Sequence, residues 1–166
     1  MKSENKIIVK YTNNLSFREK IVLILLEKTA PIHYHFCKKR NAWNLNSNDL
    51  IKFPNGSLGN ELGLFYKSHH FEPLPKAERH DIFHVLLGYT TDVIEESKMQ
   101  FFLLGNGKLS FFTLATTVIT AILFPKKWMV FIQSYLRGKK STDISEWDFK
   151  QLLNKDIEIL RRSILL

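Results

Sequence analysis

The chain of 166 residues has a single cysteine, Cys37. That excludes an intrachain disulfide framework and fits a reducing compartment. Internal repeats, low-complexity tracts and composition shifts that would mark a domain boundary are missing as well. The length suits one domain with room for a core, so the expectation is a single helical domain over 1–166, with residues 1–14 as an N-terminal arm. Met1 to Lys6 has neither the apolar stretch of a signal peptide nor an Arg-rich amphipathic presequence, which favours a bacterial cytoplasmic protein. The one long uncharged run, Leu109 to Phe124, has sixteen residues and contains Ser110, Thr113, Thr116, Thr117 and Thr120. A membrane-spanning helix needs about 20 apolar residues. The run therefore reads as a buried or lipid-groove helix, with core packing accounting for most of it.

Charge is plentiful but unevenly placed. The net charge is +8. Residues 1–40 carry nine Lys/Arg against three Asp/Glu, residues 81–120 two against four, and residues 121–166 nine against five. Basic and aromatic residues do not interleave into a stripe, so nucleic acid is not the expected partner. An anionic membrane surface suits the basic ends better, because Trp128, Tyr135, Arg137, Lys139 and Lys140 follow the uncharged run. A solvated basic surface would look the same.

The densest chemistry lies in His80-Asp81-Ile82-Phe83-His84, followed after eleven residues by Glu96. On a helix His80 and His84 stand about 40° apart, and Asp81 about 60° from His84. Glu96 would lie about 160° around from His80 on one continuous helix. Gly88 to Asp92 offers the turn that could bring it back, and Asp92-Val93-Ile94-Glu95 has the form of a capping box opening a second helix. Two imidazoles and two carboxylates among Ile82, Phe83, Val85, Leu86 and Leu87 need mutual partners or a metal. An H-x-x-x-H pair also occurs as two unrelated histidines on a helix face. The zinc-protease pattern H-E-x-x-H is not matched, and Asp81 suits a ligand or an orienter better than a general base. His33, His35, His69 and His70 are read as surface or helix-flanking residues.

The remaining punctuation gives an all-α reading, a helical bundle with a metal site between two helices. An extended arm covers about 5–12. Ser16-Phe17-Arg18-Glu19 is a capping box before an apolar helix that Pro31 ends or restarts, and a second helix follows to about Asn41. The polar stretch 44–59 reads as a long loop. Helices are expected near 58–69, 76–88 and 92–104, with a turn at Asn106-Gly107.

Residues 80–96, HDIFHVLLGYTTDVIEE, closely resemble the H-D-x-x-H-x(11)-E signature of the coenzyme Q biosynthesis protein 4 family. The resemblance extends upstream to Pro54-Asn55-Gly56-Ser57-Leu58-Gly59 and the aromatic helix reaching His70-Phe71-Glu72-Pro73, and covers about 15–166 in order and spacing. Phe83 stands where the family usually has Trp, and Glu95 where it usually has Gly. The resemblance implies that His80, Asp81, His84 and Glu96 bind a divalent metal and act in catalysis through it. It also implies a polyprenylated aromatic lipid as ligand and oxidative decarboxylation of its ring, the work of a lyase or oxidoreductase.

A mixed nitrogen and oxygen set is compatible with zinc, iron, cobalt or manganese. The alternative is a non-catalytic lipid-binding scaffold that organises quinone-biosynthesis enzymes at the membrane. Either reading implies a peripheral location at the inner membrane, or at the matrix face in a mitochondrion. Other quinone-biosynthesis enzymes and a second copy of the chain are the protein partners to expect.

Overall fold

The computed structural model describes residues 15–24 and 41–164, and these are all helical apart from turns, loops and one isolated bridge between Ser57 and Asp156. The expected arm, Pro31, the second helix, Cys37, His33 and His35 lie outside the described residues. Residues 17–24 are helical, and their start carries the anticipated box. Ser16 Oγ accepts from the Glu19 amide while Glu19 accepts from the Ser16 amide at 2.7 Å.

The helices that follow are α1 (Ser47–Ile51), α2 (Leu58–His69), α3 (Glu78–Leu87), α4 (Val93–Gly105), α5 (Phe111–Leu123), a 3-10 turn (Pro125–Lys127), α6 (Trp128–Lys140) and α7 (Ile157–Ile164). The expected helices near 58–69, 76–88 and 92–104 are α2, α3 and α4. The expected loop 44–59 is not all loop. Asn46 and Asp49 cap each other's backbone and nucleate α1, whose Leu50 anchors it in the core.

The core joins Leu58, Leu62 and Tyr66 of α2, Ile82, Phe83 and Leu86 of α3, Met99, Phe102 and Leu103 of α4, and Ile157, Leu160 and Ile164 of α7. Phe83 packs edge-on against Phe149 at 5.6 Å. Each such side chain contributes roughly 1.5–3 kcal/mol by leaving water. Arginines pin the C-terminal segment to α3. Arg79 donates to the carbonyls of Ile144, Ser145 and Trp147. Arg161 donates to those of Val85 and Leu86, complementing the negative end of α3.

Helices α4 and α6 meet at backbone distance. A Cβ on Gly105 would stand 2.1 Å from the Tyr135 carbonyl oxygen, and one on Gly138 would stand 2.0 Å from that of Phe102. Only glycine permits this approach. It places α4 between α3, which carries the histidines, and α6 with its neighbour α5.

The uncharged run folds as α5, but not as a core helix. Its buried residues are Phe112, Thr113, Thr116, Thr117 and Thr120, while Phe111, Leu114, Val118 and Ile122 face outward. Thr117 and Thr120 can be buried because their hydroxyls are satisfied along the helix. Thr117 donates to the Thr113 and Leu114 carbonyls, and Thr120 to that of Thr116. Trp128, Met129, Ile132 and Leu136 extend the exposed apolar surface along α6. Among the described residues no single helix is long and apolar enough to cross a membrane. The pair Phe111–Leu123 and Pro125–Lys140 passes by length and composition together, but is bent by 107°.

Candidate metal centre

The site is built by one local event, the turn between α3 and α4. Gly88 ends α3 in the left-handed region at φ 75°, its amide donating to the His84 carbonyl. Asp92 then caps α4, accepting from the amides of Ile94 and Glu95. This is the Asp92 half of the anticipated capping box. The Glu95 side chain instead pairs with Lys98 at 2.6 Å, away from the ligand group. With the chain reversed, Glu96 comes back against the histidines.

Three ligand atoms converge. Glu96 Oε2 lies 3.1 Å from His84 Nε2 and 3.5 Å from His80 Nε2, and the two Nε2 atoms are 3.3 Å apart. Ligands held tetrahedrally at about 2.0–2.1 Å from a metal stand about 3.3–3.4 Å from one another. The donor chemistry fits as well. His84 Nδ1 lies 3.1 Å from the Tyr89 carbonyl oxygen. A carbonyl only accepts, so Nδ1 carries the proton and Nε2 of the neutral ring presents a lone pair. That lone pair faces a carboxylate oxygen, and the two need a cation or a proton between them.

Electrostatics carry the same message. Burial pushes the Glu96 carboxyl upward, but the charge of His80 and hydrogen bonds from His80 and His84 outweigh it and hold the group well below its ordinary range. Burial pushes His84 downward, yet its hydrogen bond to Glu96 and the charge of that carboxylate leave it raised. The ligand atoms of His80, His84 and Glu96 all lie within 4.8 Å of one another, so the group could hold a metal ion.

Asp81 is placed differently. Its Oδ2 accepts from the Tyr66 hydroxyl at 2.6 Å, and it is not in the converging group. Burial raises its pKa, opposed by His80, by the Tyr66 hydrogen bond and by His84. Of the three converging residues, His80 is the most open, with 18% of its side chain accessible. Phe65 stacks on His84 at 5.8 Å, and Phe112 meets His80 edge-on at 6.5 Å.

Sequence reasoning did not find the supporting residues Tyr66, Tyr89, Gln100 and Thr113. Gln100 had a signal, since it lies four residues after Glu96 and so on the same helix face. The contacts of Tyr66 and Thr113 cross between helices and have no local signature. His69 and His70 end α2, with His70 as its left-handed cap.

No curated protein matches the chain. A crystal structure from Nostoc punctiforme PCC 73102, provisionally named a ubiquinone biosynthesis protein, is 20% identical. The match covers 90% of this chain and 82% of that one, with a TM-score of 0.59, so the two share a fold. Residues 75–166, more than half of the chain and including all three converging ligands, match the family described as Coenzyme Q (ubiquinone) biosynthesis protein Coq4. The chain belongs to that family, which acts in ubiquinone biosynthesis.

Proposed function

We propose that the protein uses a divalent metal to carry out the oxidative decarboxylation of a polyprenylated aromatic ring. The convergence of His80, His84 and Glu96 carries this reading. Asp81 serves as a fourth ligand or as the orienter of the pair. The ion would supply Lewis acidity toward a phenolic or carboxylate oxygen of the ring. The ring approaches from the open side of His80, bounded by Phe112, while Phe65 shields His84 from water.

The reaction replaces the bond from ring carbon to carboxylate with a bond to hydroxyl oxygen and releases carbon dioxide. With water as the oxygen source, dioxygen accepts the two electrons and leaves as hydrogen peroxide. The isoprenoid tail follows the apolar faces of α5 and α6. Those faces, with Lys126 and Lys127 at the elbow, dock the protein peripherally on an anionic membrane surface.

The exposed apolar surface also favours a second reading, a scaffold that holds the lipid and gathers other quinone-biosynthesis enzymes, or a second copy of the chain, without turnover. The test is incubation of metal-loaded protein with a carboxylated polyprenyl phenol, with and without dioxygen, read by mass spectrometry. Dioxygen-dependent conversion of carboxylate to hydroxyl supports catalysis. Retention of the unchanged lipid by metal-loaded protein overturns it in favour of the scaffold.

A further inference from the structure

Glu96 uses only one carboxylate oxygen toward the histidines. The other, Oε1, accepts a hydrogen bond from Gln100 Nε2 at 2.9 Å. Gln100 Oε1 in turn accepts from the Thr113 hydroxyl at 3.1 Å. The Ser110 hydroxyl donates to Thr113 Oγ1 at 2.9 Å, and Ser110 Oγ accepts the Thr113 amide as the N-cap of α5. Gln100 and Thr113 are both fully buried, at 0% exposure.

This chain has a direction. The Thr113 hydroxyl has one proton, and it points at Gln100. An acceptor on Gln100 facing Thr113 fixes the amide so that its NH2 group faces Glu96. A flipped amide would set its oxygen against the carboxylate and leave a buried acceptor unsatisfied, at a cost of about 1–3 kcal/mol. No other arrangement satisfies all three groups.

We propose that Gln100, itself oriented by Thr113, is a positioning residue that makes Glu96 a one-oxygen ligand. Holding Oε1 in a hydrogen bond delivers only Oε2 to the ion and prevents chelation by both oxygens. That keeps one coordination position open for water or substrate. The proposal rests on metal binding by His80, His84 and Glu96, and adds residues of α4 and α5 that are not ligands.

The experiment titrates apo-protein with cobalt(II) alone and records affinity and the visible absorption spectrum, which reports coordination number and geometry. Gln100→Met keeps the chain length and removes both hydrogen bonds. The expected result is a loss of affinity of about 10- to 100-fold, with a spectrum shifted toward higher coordination as Oε1 becomes free to bind. Thr113→Val removes the orienting hydroxyl and should move both readouts the same way by a smaller factor. Thr113→Ser restores the hydroxyl and should return both toward wild type. Such a rescue is not expected of a residue that only fills space.

Gln100→Met with wild-type affinity and an unchanged spectrum would overturn the proposal. Should Gln100→Met not fold, equal behaviour of Thr113→Val and Thr113→Ser would overturn it. Wild-type protein that takes up no cobalt would instead remove the metal reading on which the proposal rests.

Discussion

Helices α3 and α4 bury what proteins normally expose, and α5 and α6 expose what proteins normally bury. In the first pair His84 and Glu96 are enclosed beside Ile82, Phe83 and Met99. In the second, Phe111 is 84% accessible and Ile122 72%, while four threonines of α5, Thr113, Thr116, Thr117 and Thr120, are buried. Scattered exposed apolar residues are ordinary, whereas a buried polar cluster and a contiguous apolar patch are informative. Each inversion has its own compensation. The ionisable groups compensate one another and point their lone pairs at a common spot. Thr117 and Thr120 of α5 compensate through their own helix and Thr113 through Gln100, which leaves the apolar face free to meet something other than this chain. The two regions are joined by the close approach of α4 and α6 at Gly105 and Gly138 and by the hydrogen bonds that run from Ser110 through Thr113 and Gln100 to Glu96.

The sharpest break of this contrast is at the ligands. Replacing His80 and His84 together by Ala removes two of the three converging atoms, and metal content by elemental analysis should fall to background. Losing a group that merely supports a ligand costs about 10- to 100-fold in affinity, and the ligands themselves should cost more. Association with anionic liposomes should persist in this variant, because α5 and α6 are untouched. Metal content equal to wild type would show that the convergence is an ion-pair network and nothing more.

The reciprocal change is Phe111→Asp with Ile122→Asp. Each side chain contributes about 1.5–3 kcal/mol when it leaves water for an apolar phase, and the added carboxylates repel an anionic surface. Flotation with anionic liposomes should therefore weaken by about 100-fold or more, while cobalt affinity stays at its wild-type value. Wild-type association should also weaken with salt, since the contribution of Lys126 and Lys127 is screened over about 8–10 Å at physiological ionic strength. Unchanged flotation of the double variant would leave α5 without a role at the membrane.

What could be read in the sequence was what is built locally. The spacing of His80 and His84, the Gly88 turn and the Asp92 cap each act within a few residues, and together they place Glu96. The box at Ser16 was legible for the same reason. Helix α1 carries the same reciprocal cap at Asn46 and Asp49, but its five residues are polar apart from Leu50 and Ile51 and were read as loop. Helix α7 shows Ile157, Leu160 and Ile164 at helical spacing, a signal that the sequence carries locally. The orientation of α5 was not legible. Amphipathic reasoning assumes water outside, so a threonine stripe is expected to face solvent. The hydroxyls of Thr117 and Thr120 instead bond to carbonyls three and four residues back, and that of Thr113 to Gln100, so the stripe turns inward. The roles of Asp81 and Gln100 were hidden because their partners, Tyr66 and Thr113, come from other helices.

The mildest test asks whether the outward face of α5 is covered in solution. Val118 is 57% accessible at mid-helix. Ser and Val have similar helix propensities, so Val118→Ser alters little besides the apolar surface. If the face is free, folded stability should change by no more than about 0.5 kcal/mol, as at exposed sites generally. For a chain of this size that is a shift in Tm of about 1–2 °C. The core behaves oppositely, since Phe83→Ala should cost about 3–5 kcal/mol. A large drop in Tm for Val118→Ser that grows on dilution would mean that a second copy of the chain already covers the face, because subunit contacts stabilise by mass action. The apolar surface would then be an interface between copies, and the contrast between the two helix pairs would no longer point to a lipid.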